Sequence, residues 1–443
     1  MLPTDWIRWT ADNLARGVPR ASILNTLLAE GFPVPDISES VRQAYQDVQL
    51  QAKRPVRELM LARSARWIKY MGTGGKPAYL INDLLSEMEC QQLIEMGRRR
   101  LQPSTILGDA APATVRPSRT SHIGAVDSDM VLSIDQRICD AIGLPLMFSE
   151  PLQLHYYEEG QFFSDHTDYL PEGKLSAYDA RFGQRTLSVV VFLNTVEAGG
   201  RTTFPKLDLS FAPQMGSALV WSNLDDDFRP DPMTLHCSTP LNAGFKAILT
   251  KWFRLPATDD DSWYPGEPMP PKGTPFEKRP APRALVDDLA RAIVEGQAAK
   301  VPETDTEAFL HGADSTRPAS FLVPVGPALK ERAKAFARET FLSLGHENLS
   351  EATCYGVREY MCGCQLDMHF DRKETHHVGM VLCVDSAGAE WPLIIEDAQR
   401  ELHAVQLAPG EALFFQSASL LHGRPWALSR GSVCNLFVHF RCR

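Results

Sequence analysis

The feature that most limits how this chain can fold is an internal repeat of short motifs in the same order. Each copy holds a tyrosine, a glycine, a histidine and an aspartate at identical spacing, followed further along by another histidine. The members are Tyr157, Gly160, His166, Asp168 and His236 in the first copy and Tyr360, Gly363, His369, Asp371 and His422 in the second. Chance explains one such pair of residues but not the whole ordered series, so the repeat predicts a duplicated domain.

Short strand-like runs dominate the region around the first copy. Leu187–Leu193, Ala218–Trp221 and Ala247–Phe253 are three of them, and similar runs return from residue 354 to the end of the sequence. Short strands separated by glycine and proline are typical of antiparallel sandwiches and barrels. We therefore predict a mainly β fold with flanking helices (α+β), in which two barrels of the jelly-roll or cupin-like kind follow one another.

Changes in composition divide the chain into four predicted segments. They are a helical N-terminal unit at 1–60, a first barrel at 70–256, a proline-rich linker at 257–283 and a second barrel at 284–443. Apolar residues at helical spacing predict that the N-terminal unit packs against a neighbour. Eight prolines between residues 256 and 282 predict a semi-rigid, exposed linker.

Charge and cysteine content exclude several classes of protein. The 443 residues carry 45 Lys+Arg and 55 Asp+Glu, a formal charge of -10, which argues against a general nucleic-acid binder and against binding to anionic membranes. No apolar run approaches the roughly 20 residues of a membrane helix. The first residues lack the basic and apolar regions of a secretory signal, and nine scattered cysteines suit a reducing compartment. The expected location is cytoplasmic.

The repeated motif has the chemistry of a metal site. Side chains two apart on a strand share a face, so His166 and Asp168 point the same way, and His236 from a neighbouring strand can join them. Two imidazoles and one carboxylate suit non-haem Fe(II) and leave positions open for substrate and O2. Lys246, in an apolar run ten residues after His236, is costly to bury without a partner, which a dicarboxylate co-substrate would supply. The alternative is an exposed lysine near a strand start.

Residues 70–255 resemble the catalytic domain of the prolyl 4-hydroxylase family of Fe(II)/2-oxoglutarate dioxygenases. The resemblance rests on several blocks in order over nearly 190 residues. The matching residues are Arg119 to Ser121, Leu152, Tyr156, Tyr157, Gly160, Gln161, Phe163, His166, Asp168, the block 199–205, His236, Lys246 and Trp252.

This resemblance implies a fold, a cofactor set and a set of site residues. The implied fold is a double-stranded β-helix, and the implied cofactors are Fe(II), 2-oxoglutarate and O2, with ascorbate as reductant. The implied iron ligands are His166, Asp168 and His236. The implied 2-oxoglutarate contacts are Lys246, Tyr157 and Thr202. Arg185 and Trp252 stand where the family lines its substrate groove, with Phe163 in place of the tyrosine that peptide prolyl hydroxylases often carry.

The implied reaction is hydroxylation of an unactivated C–H bond, with succinate and CO2 as co-products. The first candidate substrate is a prolyl or other amino-acid residue in a peptide. The second candidate substrate is a free amino acid or a small natural-product intermediate. This alternative includes an enzyme with two active sites. The alternative of another class is a peptide-binding protein whose duplicated barrels do not catalyse. No nucleic acid and no membrane are expected as partners.

The second copy retains the three ligand types at His369, Asp371 and His422. Ser432 stands ten residues beyond His422 where a lysine is expected, and Arg430 offers an alternative anchor for a carboxylate. One interpretation is a second active dioxygenase site. The other is a catalytically inactive copy that keeps its metal ligands and serves as a scaffold or substrate-binding module. A third is a zinc site, for which the spacing is poor, at Cys362, Cys364, His376 and His377.

Overall fold

The computed structural model describes residues 1–54, 58–59, 67–106, 109–110, 112, 114–124, 128–171, 182–225, 227–255, 264–271, 275–303, 309–312 and 318–442. Contacts divide the chain into two compact units. The central unit comprises Ala15–Gly17 and Gln46–Asp259, and the terminal unit comprises Met1–Leu14, Val18–Tyr45 and Asp260–Arg443.

Helices flank the sheets in both units. The α-helices with described bounds are α1 (Thr4–Ala15), α2 (Arg20–Ala29), α3 (Val34–Ala52), α4 (Glu87–Arg98), α5 (Asp129–Ile142), α6 (Arg283–Gly296) and α7 (Pro327–Ser343). None of these described helices combines the length and the apolar composition that a membrane crossing requires.

The central unit is built on two main sheets, and two of its short strands form a separate pair. Its strands are β1 (Trp67–Met71), β2 (Pro77–Ile81), β3 (Gln102–Pro103), β4 (Thr105–Ile106), β5 (Asp109–Ala110), β6 (Arg119–Ile123), β7 (Leu152–Glu158), β8 (Phe163–His166), β9 (Arg185–Phe192), β10 (Thr202–Phe204), β11 (Leu209–Phe211), β12 (Ala218–Ser222), β13 (His236–Ser238) and β14 (Phe245–Arg254). The larger sheet has the order β1-β2-β12-β9-β14-β7-β6-β3, and the smaller one has the order β11-β10-β13-β8. The antiparallel pairing agrees with the predicted mainly β fold and with a double-stranded β-helix.

Two helices, α4 and α5, cover one face of the larger sheet of the central unit. Ser86 and Glu89 cap the start of α4 reciprocally, and Gly143, with a φ of 82°, ends α5 in the left-handed region. A Cβ at Gly97 would lie 2.6 Å from Cδ1 of Leu154, so glycine permits the close approach of α4 to the sheet. Because strand residues alternate between faces, the even-numbered residues of β14 point to the opposite side, away from these helices.

The terminal unit also contains two main sheets. Its strands are β15 (Phe276–Pro280), β16 (Val301–Pro302), β17 (Leu310–His311), β18 (Ser320–Val323), β19 (Leu349–Thr353), β20 (Val357–Met361), β21 (Gln365–His369), β22 (Val378–Asp385), β23 (Leu393–Glu396), β24 (Leu402–Val405), β25 (Glu411–Phe415), β26 (His422–Arg424) and β27 (Ser432–Cys442). One sheet has the order β15-β25-β22-β27-β20-β18-β16, with β19 on β27, and the other has the order β17-β21-β26-β23-β24. Helices α6 and α7 pack on the first of them through Leu289 and Phe341.

Most residues of the N-terminal helices belong to the terminal unit, whereas Ala15–Gly17 and the end of α3 from Gln46 belong to the central unit. Arg20 of α2 is only 3% exposed and forms buried ion pairs with Glu267 and Glu396. Asn25 Oδ1 accepts a hydrogen bond of 2.9 Å from the backbone N–H of Met368 on β21. The helical spacing of apolar residues predicted packing, but it carries no information on which partner a buried arginine will find.

The predicted exposed linker at 257–283 is only partly described, and its described residues are largely built into the terminal unit. Tyr264 is 3% exposed, with its ring centroid 4.1 Å from that of Tyr45. Phe276–Pro280 forms β15 at the edge of a sheet, paired with β25. An edge strand tolerates proline because one side of its backbone needs no partner. Proline content therefore does not distinguish a linker from such a strand.

Candidate metal centre

Three side chains of the smaller sheet of the central unit meet at one point. His166, at the end of β8, pairs across the sheet with His236 on β13, and Asp168 follows β8 directly. Nε2 of His166 lies 3.8 Å from Oδ1 of Asp168, and Nε2 of His236 lies 3.8 Å from Oδ2. All three ligand atoms fall within 4.8 Å of one another, so the set can hold a metal ion.

Backbone carbonyls orient both imidazoles. Nδ1 of His166 lies 2.8 Å from the carbonyl oxygen of Ser164, and Nδ1 of His236 lies 2.9 Å from that of Thr234. A nitrogen that faces a carbonyl must carry the proton, so Nε2 of each neutral ring is left as the free ligand atom. Burial and then the nearby His236 lower the pKa of His166 to about 3, which keeps its ring in the neutral, metal-binding form.

The carboxylate of Asp168 is held by a short chain of hydrogen bonds. Ser188 Oγ donates to Oδ2 of Asp168 at 2.6 Å and itself accepts from Nδ2 of Asn223 at 2.9 Å. Burial raises the pKa of Asp168, but the two histidines, Arg185 and Ser188 outweigh burial and hold it below its ordinary value. Asp168 is therefore ionised and presented to the metal position in one orientation.

A buried lysine lies near the triad, on the face of β14 that points away from the helices. Lys246 is 1% exposed, stands opposite Tyr157 on β7, and donates from Nζ to Ser238 Oγ at 2.8 Å. Ser238 in turn pairs with Thr202 on β10. Burial lowers the pKa of Lys246 to about 7. Among the residues that the structure describes, no carboxylate lies within ion-pairing distance of its ammonium group, so this cation lacks a protein counter-ion.

A cavity of about 600 Å³ joins the triad to Lys246. Its wall includes Tyr157 and Thr202, which with Lys246 are the predicted co-substrate contacts, and Trp252 of the predicted substrate groove. The predicted groove residue Phe163 also lines it and stacks on His166 with ring centroids 3.6 Å apart. The structure therefore brings the predicted residues of the first copy together around one space.

Arg185 is held against the cavity wall by an ion pair. It contacts both carboxylate oxygens of Glu150 at 2.6 Å, and its guanidinium carbon lies 3.9 Å from the ring centroid of Trp252. Burial raises the pKa of Glu150, but Arg185 and Arg254 together lower it below its usual value. Arg185 is therefore fixed in orientation, with Nη1 also donating to the carbonyl oxygen of Asp168 at 3.3 Å, and Glu150 is the partner that sequence reasoning missed.

Sequence reasoning also missed a pair of buried residues in the cavity wall. Nη2 of Arg116 lies 2.8 Å from Nδ1 of His155, and its guanidinium carbon lies 4.4 Å from the ring centroid of Phe163. Burial and then Arg116 lower the pKa of His155 well below its ordinary value. One signal was present: His155 stands two residues before Tyr157 on β7, and therefore on the same face.

The terminal unit contains a second group with metal-ligand geometry. Nε2 of His369 lies 3.8 Å and Nε2 of His422 lies 3.9 Å from Oδ1 of Asp371. Arg430, the predicted carboxylate anchor, is exposed and donates to the carbonyl of Gly388 at 3.2 Å. Arg430 lies in the segment before β27 and not on the strand, and its assignment as an anchor stays a prediction.

The alternative zinc site is not supported in the part of the chain that the structure describes. Cys362 is exposed and Cys364 is buried, and no group of metal-ligand geometry includes them, His376 or His377. Cysteines two apart on one chain segment can still point to very different environments when the segment turns between two strands, as it does here.

Comparisons with known proteins agree with this geometry. Residues 152–254 match the 2OG-Fe(II) oxygenase superfamily. "Prolyl 4-hydroxylase 2" of Arabidopsis thaliana is 30% identical over 217 residues, which cover 43% of this chain and 72% of the relative. "Probable prolyl 4-hydroxylase 10" of the same plant is 29% identical over 218 residues, covering 44% of this chain and 74% of the relative.

Among solved structures, the viral collagen prolyl hydroxylase of Paramecium bursaria Chlorella virus-1, in its 2OG complex, is similar to this chain with a TM-score of 0.33 and 22% identity. The similarity covers 40% of this chain and 95% of that one. The segment 152–254 matched to the superfamily includes His166, Asp168, His236 and Lys246.

Proposed function

This chain belongs to the prolyl 4-hydroxylase-like group of 2-oxoglutarate- and Fe(II)-dependent oxygenases. On that premise we propose that its central unit hydroxylates an amino-acid residue in a peptide, and proline is the first candidate for that residue. It is a 2-oxoglutarate-dependent dioxygenase, and its family uses Fe(II), 2-oxoglutarate and O2. The observation that carries the proposal is the cavity in which a metal-ligand triad faces the same space as a buried lysine that has no carboxylate partner among the described residues. Succinate and CO2 would be the co-products.

The residues of the triad fit an iron ion. Two neutral imidazoles and an ionised carboxylate form the donor set that suits non-haem Fe(II) and leaves coordination positions open. The hydrogen bonds that His166 and His236 donate to carbonyls, and the one that Asp168 accepts from Ser188, leave one ligand atom of each directed to a common point. The proposed metal ligands are therefore His166, Asp168 and His236.

The pocket around Lys246 fits the far carboxylate of 2-oxoglutarate. A buried ammonium without a counter-ion is unfavourable, and a bound carboxylate provides both charge and hydrogen-bond acceptors. The hydroxyls of Tyr157 and Thr202 line the same cavity and are the proposed second and third contacts. When bound, iron and co-substrate activate O2 for hydroxylation of a C–H bond, while these residues hold the co-substrate in place and keep water out.

The substrate side of the site is proposed from the remaining cavity wall. Arg185, oriented by Glu150, can donate hydrogen bonds to a peptide carbonyl, and Trp252 offers an apolar surface for a ring. Phe163 keeps the metal side apolar. The relatives are named prolyl 4-hydroxylases, which supports a prolyl substrate, and the nine free cysteines suit a reducing, cytoplasmic location.

We expect the purified protein to hydroxylate a proline-containing peptide in the presence of Fe(II), 2-oxoglutarate, O2 and ascorbate. The measurement is mass spectrometry of a peptide library, with a gain of one oxygen atom per modified residue and succinate formed in equal amount. Free proline and other free amino acids serve as matched competitors. Oxidation of a free amino acid with no oxidation of any peptide would contradict the proposed substrate class and support the small-molecule alternative.

Binding of 2-oxoglutarate should take up a proton at mildly alkaline pH. Burial lowers the pKa of Lys246 to about 7, so in the empty pocket the lysine side chain is mostly neutral at pH 8 and mostly charged at pH 6. A bound carboxylate favours the charged form and raises this pKa, so affinity should fall by about tenfold per pH unit above 7. Titration calorimetry in two buffers of different ionisation enthalpy should show uptake of nearly one proton at pH 8 and little at pH 6.

The matched control for this prediction is Lys246→Arg, whose side chain stays charged across the range. It should bind 2-oxoglutarate with little proton uptake at either pH. Equal proton uptake by the two proteins would assign the uptake to another group and contradict the role of Lys246.

We further propose that the terminal unit is a divergent copy of the central one. Both pair a large sheet with a smaller one, and both carry a His-x-Asp group at the end of a strand of the smaller sheet, β8 or β21. In each, the distal histidine lies on the strand paired with it, β13 or β26. The proposed domain division is therefore the central barrel, a terminal barrel and N-terminal helices attached to the latter.

A further inference from the structure

The terminal unit retains the outer contacts that orient a metal-ligand triad. Nδ1 of His369 lies 2.7 Å from the carbonyl oxygen of Asp367, and Nδ1 of His422 lies 3.0 Å from that of Leu420. Each ring therefore presents Nε2 to Asp371, as the corresponding rings do in the central unit. The second triad therefore keeps the imidazole tautomers that metal coordination requires.

A third histidine approaches Asp371, whose carboxylate also forms a side-chain hydrogen bond with Ser417. Nε2 of His439 on β27 lies 3.4 Å from Oδ2 of Asp371. His439 stands opposite Gly379 on β22, whereas the central unit has Trp252 opposite Ser188 at the equivalent pairing. A Cβ at Gly379 would lie 2.9 Å from Cδ2 of His439, so the glycine makes room for this imidazole.

The position of the co-substrate lysine is apolar in the terminal unit. Lys246 stands opposite Tyr157 in the central unit, and Val433 stands opposite Tyr360 in the terminal unit. The register thus assigns the lysine position to Val433 and not to Ser432, which spacing alone had suggested. Val433 is 4% exposed, so it fills this position with a buried aliphatic side chain.

The position of Thr202 is also apolar. In the central unit, Thr202 pairs with Ser238, which stands two residues after His236. In the terminal unit, the register of β23 with β26 brings Leu393 opposite Arg424, which stands two residues after His422. Leu393 is 3% exposed and offers no hydroxyl.

A tryptophan occupies the space that the central unit leaves beside its lysine. Counting two residues back along the strand, Gly200 corresponds to Trp391, and a Cβ at Gly200 would lie only 3.3 Å from Cδ of Lys246. The indole of Trp391 packs on Tyr360 with ring centroids 5.1 Å apart, in one apolar cluster with Val433. The guanidinium carbon of Arg424 lies 4.6 Å from the indole centroid.

We propose that the terminal unit binds a divalent metal ion through His369, Asp371 and His422 and takes no 2-oxoglutarate. His439 acts as a positioning residue that holds the second oxygen of Asp371. The pocket for the far carboxylate is filled by Trp391 and by the apolar residues at the lysine and threonine positions. The indole face of Trp391 stabilises the guanidinium of Arg424. If the terminal unit does bind 2-oxoglutarate, Arg424 is the residue that would bind its carboxylate.

The test uses the full chain, freed of metal with a chelator and titrated with Co(II), a spectroscopic substitute for Fe(II). The His166→Ala variant, which lacks the central triad, should still bind one Co(II) per chain and no 2-oxoglutarate by calorimetry. Adding His369→Ala, or Asp371→Asn if the alanine variant fails to fold, should abolish that remaining Co(II). Thermal unfolding of each variant verifies folding.

His439→Ala in the His166→Ala background should weaken Co(II) binding by about 10- to 100-fold, as for other partners of metal ligands, and change the visible spectrum. An unchanged affinity would contradict the role of His439. Binding of 2-oxoglutarate to His166→Ala that disappears on Arg424→Ala would overturn the absence of a co-substrate site, and failure of His166→Ala to bind Co(II) would overturn the metal site. Two metal ions and no 2-oxoglutarate on the unaltered chain would refute the function proposed for the central unit and leave this inference standing.

Discussion

Replacement of His166 by alanine is expected to abolish succinate production and to remove one metal ion per chain. His166 supplies one of the three ligand atoms, and alanine has no side-chain atom that can coordinate a metal in its place. Loss of a partner that only orients a metal ligand costs about 10- to 100-fold in affinity or activity, and loss of the ligand itself should exceed the upper figure. An end-point assay of succinate measures the loss of turnover, and metal analysis of the purified variant measures the loss of the metal ion.

The control is His403→Ala. His403 lies on β24, is exposed and pairs with Asp397, so its loss should leave metal content and turnover unchanged. Full turnover by the His166 variant would place the reactive iron somewhere other than the central triad.

Lys246→Met should remove 2-oxoglutarate binding with little or no loss of stability. Truncating one partner of a buried, hydrogen-bonded charge pair costs about 2–5 kcal/mol, which corresponds to roughly 30-fold to several thousandfold in dissociation constant. The fold does not need this cation, because burial lowers its pKa to about 7 and no described carboxylate pairs with it. Methionine fills a similar volume without that desolvation cost, so the melting temperature should stay level or rise.

A second lysine on the same strand provides a matched control. Lys251 is also 1% exposed, but its Nζ lies 2.6 Å from Oδ1 of Asp135, on the other face of β14. Lys251→Met leaves a buried carboxylate without its partner and should cost about 3–5 kcal/mol of unfolding free energy, with 2-oxoglutarate affinity unchanged in the protein that remains folded. If Lys246→Met instead lowers stability as much and leaves affinity intact, the lysine is structural and the co-substrate assignment fails.

Strand periodicity made part of the first site predictable. Side chains on strands repeat every two residues, so spacing assigned His166 and Asp168 to one face that a later histidine can join. The resemblance to the prolyl 4-hydroxylase family, and not spacing, assigned Lys246 to the same site. Their partners could not be found in this way. Glu150 and Ser188 are isolated polar residues in the sequence, and only the pairing of strands brings them to Arg185 and Asp168.

The terminal unit shows the limit of counting residues along the chain. Spacing from His422 led to Ser432 and Arg430, whereas strand register leads to Val433, and Arg430 lies in the segment before β27. A one-residue shift moves a side chain to the opposite face of a sheet, so a count that spans a loop is unsafe. His439 escaped notice for a related reason: its approach to the metal position depends on the absence of a side chain at Gly379, on another strand.

The most direct test of the central claim is an anaerobic titration of the Fe(II)-loaded chain with 2-oxoglutarate, following the charge-transfer absorption that appears when this co-substrate chelates iron. It requires no knowledge of the substrate. We expect one equivalent per chain, and we expect it to be lost in the His166→Ala and Lys246→Met variants at the same concentrations. A full signal in the His166 variant, or no signal in the unaltered chain, would contradict the assignment of the central unit as the 2-oxoglutarate-dependent site.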